Sequence, residues 1–230
     1  MAFAGFGKDF FAFFRELAAH NDRDWFEANK ARYKEKVVAP VSDFVTAMAP
    51  KLKKISPHFV ADPRPVGGSM FRIYRDTRFA KDKSPYKTNT GVQFRHAAGK
   101  DAHAPGFYLH LEPKRVFFGG GAWMPAAPML NAVRARIAES PAAWKKALTA
   151  PSLVETYGGL ADGHPLARPP RGFAPDHPCI DDIRKRSFFV TVDATEADAG
   201  KPAFLGDVAE AYAAAKPVMR FLTQASGHDF

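Results

Sequence analysis

Apolar residues recur at helical spacing through the first third of the chain. Phe10, Phe13, Phe14 and Leu17 stand three and four positions apart within Phe6 to Ala19, so that segment has one apolar face and is predicted to be a helix. A break at His20 and Asn21 follows. Asn21 is a candidate N-cap with Asp24 at the third helical position, a short-carboxylate form of the capping box, and the second helix runs on through Trp25, Phe26, Ala28 and Tyr33. Pro40 begins the next turn, after which Val41, Phe44, Val45, Met48 and Leu52 form a third stripe. Ser56, Pro57 and the Pro63/Pro65 pair end the helical region.

From Ser69 the pattern changes to short segments bounded by glycine and charge. Met70 to Tyr74, Gly91 to His96, Gly106 to Leu111 and Arg115 to Gly119 read as strands, and Glu112, Pro113 and Lys114 join the last two as a hairpin. Long loops are expected at 75–89 and 97–105. Helix returns after Gly119 to Gly121: Met129, Leu130, Val133 and Ile137 share a face within Pro125 to Glu139, and Ser140 with Pro141 restarts a helix through Trp144 and Leu148. Residues 157–178, rich in glycine and proline, are expected on the surface. Phe188 to Val192 is a further strand, and Pro202 to Thr223 an alanine-rich helix interrupted at Pro217. The predicted fold is α+β, a mainly antiparallel sheet of about five strands flanked by N-terminal, central and C-terminal helices. One domain over 1–230 is expected, helical in 1–63, sheet-rich in 69–121, helical and mixed in 125–230.

Charge sharpens this picture. Seven of the nine excess positive charges lie in residues 64–115, where eleven Lys and Arg face four Asp and Glu. Such a patch attracts phosphate, carboxylate or a nucleic-acid backbone, unless it is simply a solvated basic face. The single cysteine, Cys179, rules out an internal disulfide, a cysteine-built zinc site and a CxxC redox motif. No apolar run approaches the roughly 18 residues of a membrane span, and Met1 to Asp9 lacks the order of a signal peptide. A cytoplasmic protein with no membrane partner is expected.

The most distinctive segment is Phe71 to Asn89, in which Arg72, Arg75, Asp76, Arg78, Asp82, Lys83, Pro85, Tyr86 and Lys87 stand close together. With Asn21 to Phe26, Gly106 to Leu111, Gly119 to Pro125, Arg171 to Phe173, and Phe188 with Phe189, it resembles the pattern of a bacterial and plant family of conserved hypothetical proteins, the domain-of-unknown-function family numbered 2461. The resemblance runs in order through nearly the whole chain and implies no activity, cofactor or residue role.

The residues themselves leave two readings of the run open. If Met70 to Arg75 is a strand, Phe71, Ile73 and Arg75 share the core face, and Arg75 at the strand end either pairs with a carboxylate or lines a cleft open to an anion. Arg78, Lys83 and Lys87 on the following loop could then fold around a phosphate or carboxylate. Alternatively, Arg75, Asp76, Arg78 and Asp82 form an Arg–Asp network that pins the loop, closed by Pro85 and Tyr86; the two can coexist. Gly119 to Gly121, placed between a predicted strand and a helix, reads as a tight turn that lets Trp123 pack rather than as an anion cradle.

Other chemistry finds little support. His96, His103 and His110 recur every seven residues without sharing a helix face, no His-Glu-x-x-His or Gly-x-Ser-x-Gly motif is present, and Cys179 near His177 reads as a small buried residue. Asp181 and Asp182 read as helix-start or loop chemistry beside Arg184, Lys185 and Arg186. No metal or cofactor is expected. The leading expectation is a basic cleft for a small anionic ligand, built from Arg72, Arg75, Arg78, Lys83 and Lys87 with Asp76, Asp82, Tyr86 and Trp123, and with turnover left open. A nucleic-acid-binding or regulatory module using the same charges, with Tyr74, Tyr86, Phe94, Tyr108 and Trp123 as stacking platforms, is the first alternative. An interaction module with a purely structural network is the second.

Overall fold

The computed structural model describes residues 3–99 and 104–230. Its first third is helical where apolar spacing predicts it: α1 (Lys8–Ala19), α2 (Arg23–Tyr33), a π-helical turn (Lys34–Val38) and α3 (Ala39–Ile55). Phe10, Phe13, Phe14 and Leu17 of α1 are buried, and the rings of Phe6, Phe10, Phe44 and Phe204 form one aromatic cluster at centroid separations of 4.9 to 6.4 Å. The cap of α2 is Asp22 rather than Asn21: its carboxylate accepts the Trp25 N–H at 2.8 Å. Asn21 is engaged elsewhere, donating from Nδ2 to Tyr86 O at 3.0 Å and accepting from Tyr86 N at 3.1 Å. Pro40 stands in the first turn of α3, as its position predicts, yet no break precedes it. The wide turn before it, closed by Ala39 N–H to Lys34 O, absorbs the missing donor and the ring, so the chain stays helical from Arg23 to Ile55.

The sheet is five-stranded and antiparallel, with its strands in chain order: β1 (Phe59–Val60), β2 (Thr90–His96), β3 (Gly106–Glu112), β4 (Arg115–Ala122) and β5 (Phe188–Ala194). Pro113 and Lys114 make the predicted β3–β4 turn, with Lys114 at φ 66°. Between β4 and β5 lie α4 (Ala127–Glu139), α5 (Pro141–Leu148), α6 (Pro151–Tyr157) and α7 (Ile180–Ile183); α8 (Glu196–Ala199), α9 (Phe204–Ala214) and α10 (Lys216–Ala225) follow. The last two helices meet just before Pro217, where a break is predicted. Among the described residues no helix is long and apolar enough to cross a membrane.

Two strand predictions fail for identifiable reasons. Met70 to Tyr74 is not a strand: Ser69 to Phe71 runs briefly along β2, through Phe71 N–H to Gly91 O and Gln93 N–H to Ser69 O, and the chain then leaves the edge. Beyond it the loop folds on itself, with Arg75 N–H bonded to Pro85 O and Lys87 N–H to Ile73 O, so Pro85 needs to donate nothing. The rest of that edge belongs to Phe59 and Val60, which pair with His96 and Arg95. The glycine run is also not a turn. Gly119, Gly120 and Gly121 are interior positions of β4, paired with β3 on one side and β5 on the other. Any Cβ at Gly119 would stand 1.8 Å from Val190 O, and Gly121 adopts φ 148°, so strand and close approach both require glycine there.

Strand alternation divides the sheet into two faces. Val92, Phe94, Phe107, Leu109, Leu111, Val116, Phe118, Phe188 and Val190 are buried on the inner face. Against them pack α9 and α10, through Tyr212 on Phe107 (4.9 Å), Phe204 on Phe118 (5.6 Å) and Met219 over Gly120. Helices and sheet share one hydrophobic cluster.

Candidate functional site

The outer face of the sheet is where chemistry collects. Register places its side chains in three rows across four strands: Gly91, His110, Phe117 and Asp193; then Gln93, Tyr108, Gly119 and Thr191; then Arg95, Gly106, Gly121 and Phe189. Every row contains glycine, so the face is hollow. The run from Phe71 to Asn89 lies along its β2 side, and together they enclose a cleft of about 450 Å³ lined by Phe71, Arg75, Asp76, Lys87, Asn89, Gly91, Tyr108 and His110. A second depression of about 720 Å³ continues over β3, β4 and β5 to Trp123 and His164, and shares Phe71 and Tyr108 with the first.

Tyr108, His110 and Glu112 alternate along β3 and form a hydrogen-bonded chain. Tyr108 Oη lies 3.1 Å from His110 Nδ1, and His110 Nε2 lies 3.1 Å from Glu112 Oε2. An ionised Glu112 only accepts, so the ring hydrogen sits on Nε2 and Tyr108 O–H donates to Nδ1. His110 is 8% exposed and stacks on Phe117 at 4.6 Å. Burial pulls its pKa below 6.5; the Glu112 carboxylate opposes that shift and Arg115 adds to it. Burial likewise raises the Tyr108 phenol to about 12. With the phenol raised and the imidazole lowered, the proton stays on Tyr108, and the chain holds the hydroxyl and the ring in one fixed orientation.

Of the residues singled out in the sequence, Arg75, Asp76 and Lys87 line this cleft. Lys87 is half-buried between the cleft and Phe71, whose ring centroid lies 5.7 Å from its Nζ, and it donates to Arg72 O at 3.0 Å. Burial, then the neighbouring Arg72, lowers its pKa. The Arg–Asp pairs are present as well: Arg75 bonds Asp82, and Arg78 holds Asp76 at 2.7 Å. Asp82 is held well below the usual carboxylate range, first by the Ser84 hydroxyl and amide and then by Arg75; Arg78 lowers Asp76. Both carboxyls therefore stay ionised at neutral pH and are poor proton donors.

The other predicted residues do not join the cleft. Arg72 points to solvent, Arg78 is exposed, and Lys83 donates to Thr77 O at 2.9 Å on the outside of the loop. Tyr86 is buried and stacks on Phe26 at 4.1 Å, a packing role. Trp123, half exposed, stands at the far end of the larger depression against Phe189 (5.1 Å) and His164 (5.2 Å).

Elsewhere, His103 lies outside the described residues, and His96 stacks between His58 and His228. Among the described residues no group of three or more His, Cys, Asp or Glu could hold a metal. Asp182 accepts from Trp144 Nε1 at 2.8 Å, Asp181 faces Arg184, and Cys179 is a buried thiol raised in pKa by burial. The sequence offers His110 only as a metal candidate and does not single out Glu112, Thr191 or Asp193 for a site; β3 and β5, on either side of β4, bring these four to one face.

No curated protein and no solved structure matches the chain. The family model for the conserved hypothetical protein DUF2461 matches residues 9–221, and the chain belongs to that family.

Proposed function

We propose that the outer face of the sheet binds a small anionic ligand, a phosphate or carboxylate, in a cytoplasmic protein. The observation that carries this reading is the convergence of Arg75, Lys87 and Asn89 on the same cleft as Tyr108 and His110. Two cations and the Asn89 amide there can all donate to one anion, and the partly buried Lys87 offers a charge less screened than those on the loop surface. The Arg75–Asp82 pair fits with this role, since it fixes the guanidinium at the cleft wall. The lone, buried Cys179 suits a reducing compartment.

A nucleic-acid track is less well supported. Cations on this face alternate with Asp76, Glu112 and Asp193 rather than forming a continuous basic stripe.

The test is calorimetric titration with inorganic phosphate, phosphorylated sugars and small carboxylates, for the parent and for Lys87→Met. One class should bind, keep most of its affinity from low to physiological salt, and lose about tenfold or more in the variant, the worth of one charge-assisted hydrogen bond. Equal binding by Lys87→Met, or none by any anion, would remove the cleft from consideration.

A further inference from the structure

Resting on the anion-binding reading of this same face, we infer that the natural ligand is a mononucleotide, with its phosphate at Arg75 and Lys87 and its base in the glycine-floored depression beside them. The cleft and the larger depression adjoin at Phe71 and Tyr108, whose ring centroids lie 6.2 Å apart and border both, so one ligand laid across that pair reaches from one hollow into the other. The two ends differ in chemistry. The cations Arg75 and Lys87 stand at the β2 end, whereas the floor of the other end is bare backbone at Gly106, Gly119 and Gly121.

A strand surface without side chains exposes flat peptide planes, on which a planar ring can lie face down. The rings of Phe117, Phe189 and Trp123 border it, as stacking partners for a heterocycle do. Polar groups at this end argue against a purely aliphatic occupant. Gln93, Thr191 and Asp193 line the same depression and supply both donors and acceptors. An alkyl chain laid there would strip water from Thr191 and Asp193 without replacing it, while the nitrogen and carbonyl edge of a base can pair with them.

The spacing also fits. From Gly91 on β2 to Gly119 on β4 is two inter-strand steps across and two residues along, about 12 Å. That span suits a phosphate joined through one sugar to a base. The mixed charge at the base end, which both Arg115 and Asp193 line, favours a single free nucleotide over a strand whose every phosphate needs a cation.

The experiment compares calorimetric affinities for the four common mononucleotides, their nucleosides, ribose 5-phosphate, inorganic phosphate and a single-stranded oligonucleotide, with the parent, Trp123→Ala and Lys87→Met. At least one mononucleotide should bind about tenfold or more tighter than both its nucleoside and ribose 5-phosphate. Trp123→Ala should weaken that nucleotide while leaving ribose 5-phosphate unchanged, and Lys87→Met should weaken both. If ribose 5-phosphate or phosphate binds as tightly as every nucleotide, the base site is wrong and the anion cleft stands. Should no phosphate compound bind, the nucleotide reading falls, and the anion cleft falls with it only if the small carboxylates fail to bind as well. Tighter, steeply salt-dependent binding of the oligonucleotide would overturn the free nucleotide in favour of a strand.

Discussion

His110 couples the candidate site to pH. Its folded pKa lies below 6.5 because the imidazole is buried beside Phe117, with Tyr108, Glu112 and Arg115 as its polar and charged neighbours. As pH falls through 6.5 the unfolded chain therefore takes up protons before the folded one does, so stability declines from there down to the folded pKa and then levels. Above 6.5 this contribution is flat. His96, also shifted down chiefly by burial, adds a slope of the same sign. Urea midpoints measured between pH 7 and pH 5 should thus fall in the parent and fall less steeply in His110→Gln, with the His96 share remaining; identical slopes would show that His110 is not the group involved. Tyr108 supplies a second reading at this scale. Spectroscopic titration should find one phenol ionising near 12 that disappears in Tyr108→Phe.

Among the elements, the loop from Phe71 to Asn89 depends on contacts made far away in sequence. Asn21 spans 65 residues to hold both backbone groups of Tyr86, at 3.0 and 3.1 Å, and Phe26 stacks on the ring. Asn21→Ala should cost about 2 kcal/mol by losing two partly buried hydrogen bonds, read as a drop in denaturation midpoint, and should loosen Lys87 at the cleft. Gly121→Val should be far more damaging, at more than about 3 kcal/mol, because it imposes a branched side chain on φ 148° with Cβ 2.2 Å from Phe188 O. A Gly121→Val protein of parental stability would contradict the strand assignment of the glycine run.

These two elements also mark what the sequence could and could not convey. Helices were legible because apolar residues at three and four spacing need no partner to be recognised, as Phe10, Phe13, Phe14 and Leu17 illustrate. The glycine run has no side chains and hence no alternation, so nothing local distinguishes a β4 interior from a turn. Met70 to Tyr74 alternates like a strand, with Ile73 buried and Tyr74 exposed, yet its antiparallel pairing slips by two residues between Met70–Val92 and Tyr74–Tyr86, so only isolated bridges form.

For the molecule as a whole, the α+β architecture follows from one choice: the helices cover a single face of an antiparallel sheet and leave the other bare. That choice explains why the candidate site was only half legible. Arg75, Asp76 and Lys87 sit in one eye-catching run, whereas Gly91, His110, Phe117 and Asp193 become neighbours only through strand register. The one available signal was period-two spacing in Gly106 to Glu112, which sets Tyr108, His110 and Glu112 on one side.

The central claim, that this bare face is the ligand site, is tested most directly by titrating isotope-labelled protein with inorganic phosphate while following backbone amide resonances. Progressive shifts should be confined to Lys87, Asn89, Gly91, Tyr108 and His110, with the amides of α9 and α10 unmoved and the response lost in Lys87→Met. Shifts centred on the exposed loop around Arg78 and Lys83, or on the helical side of the sheet, would contradict it.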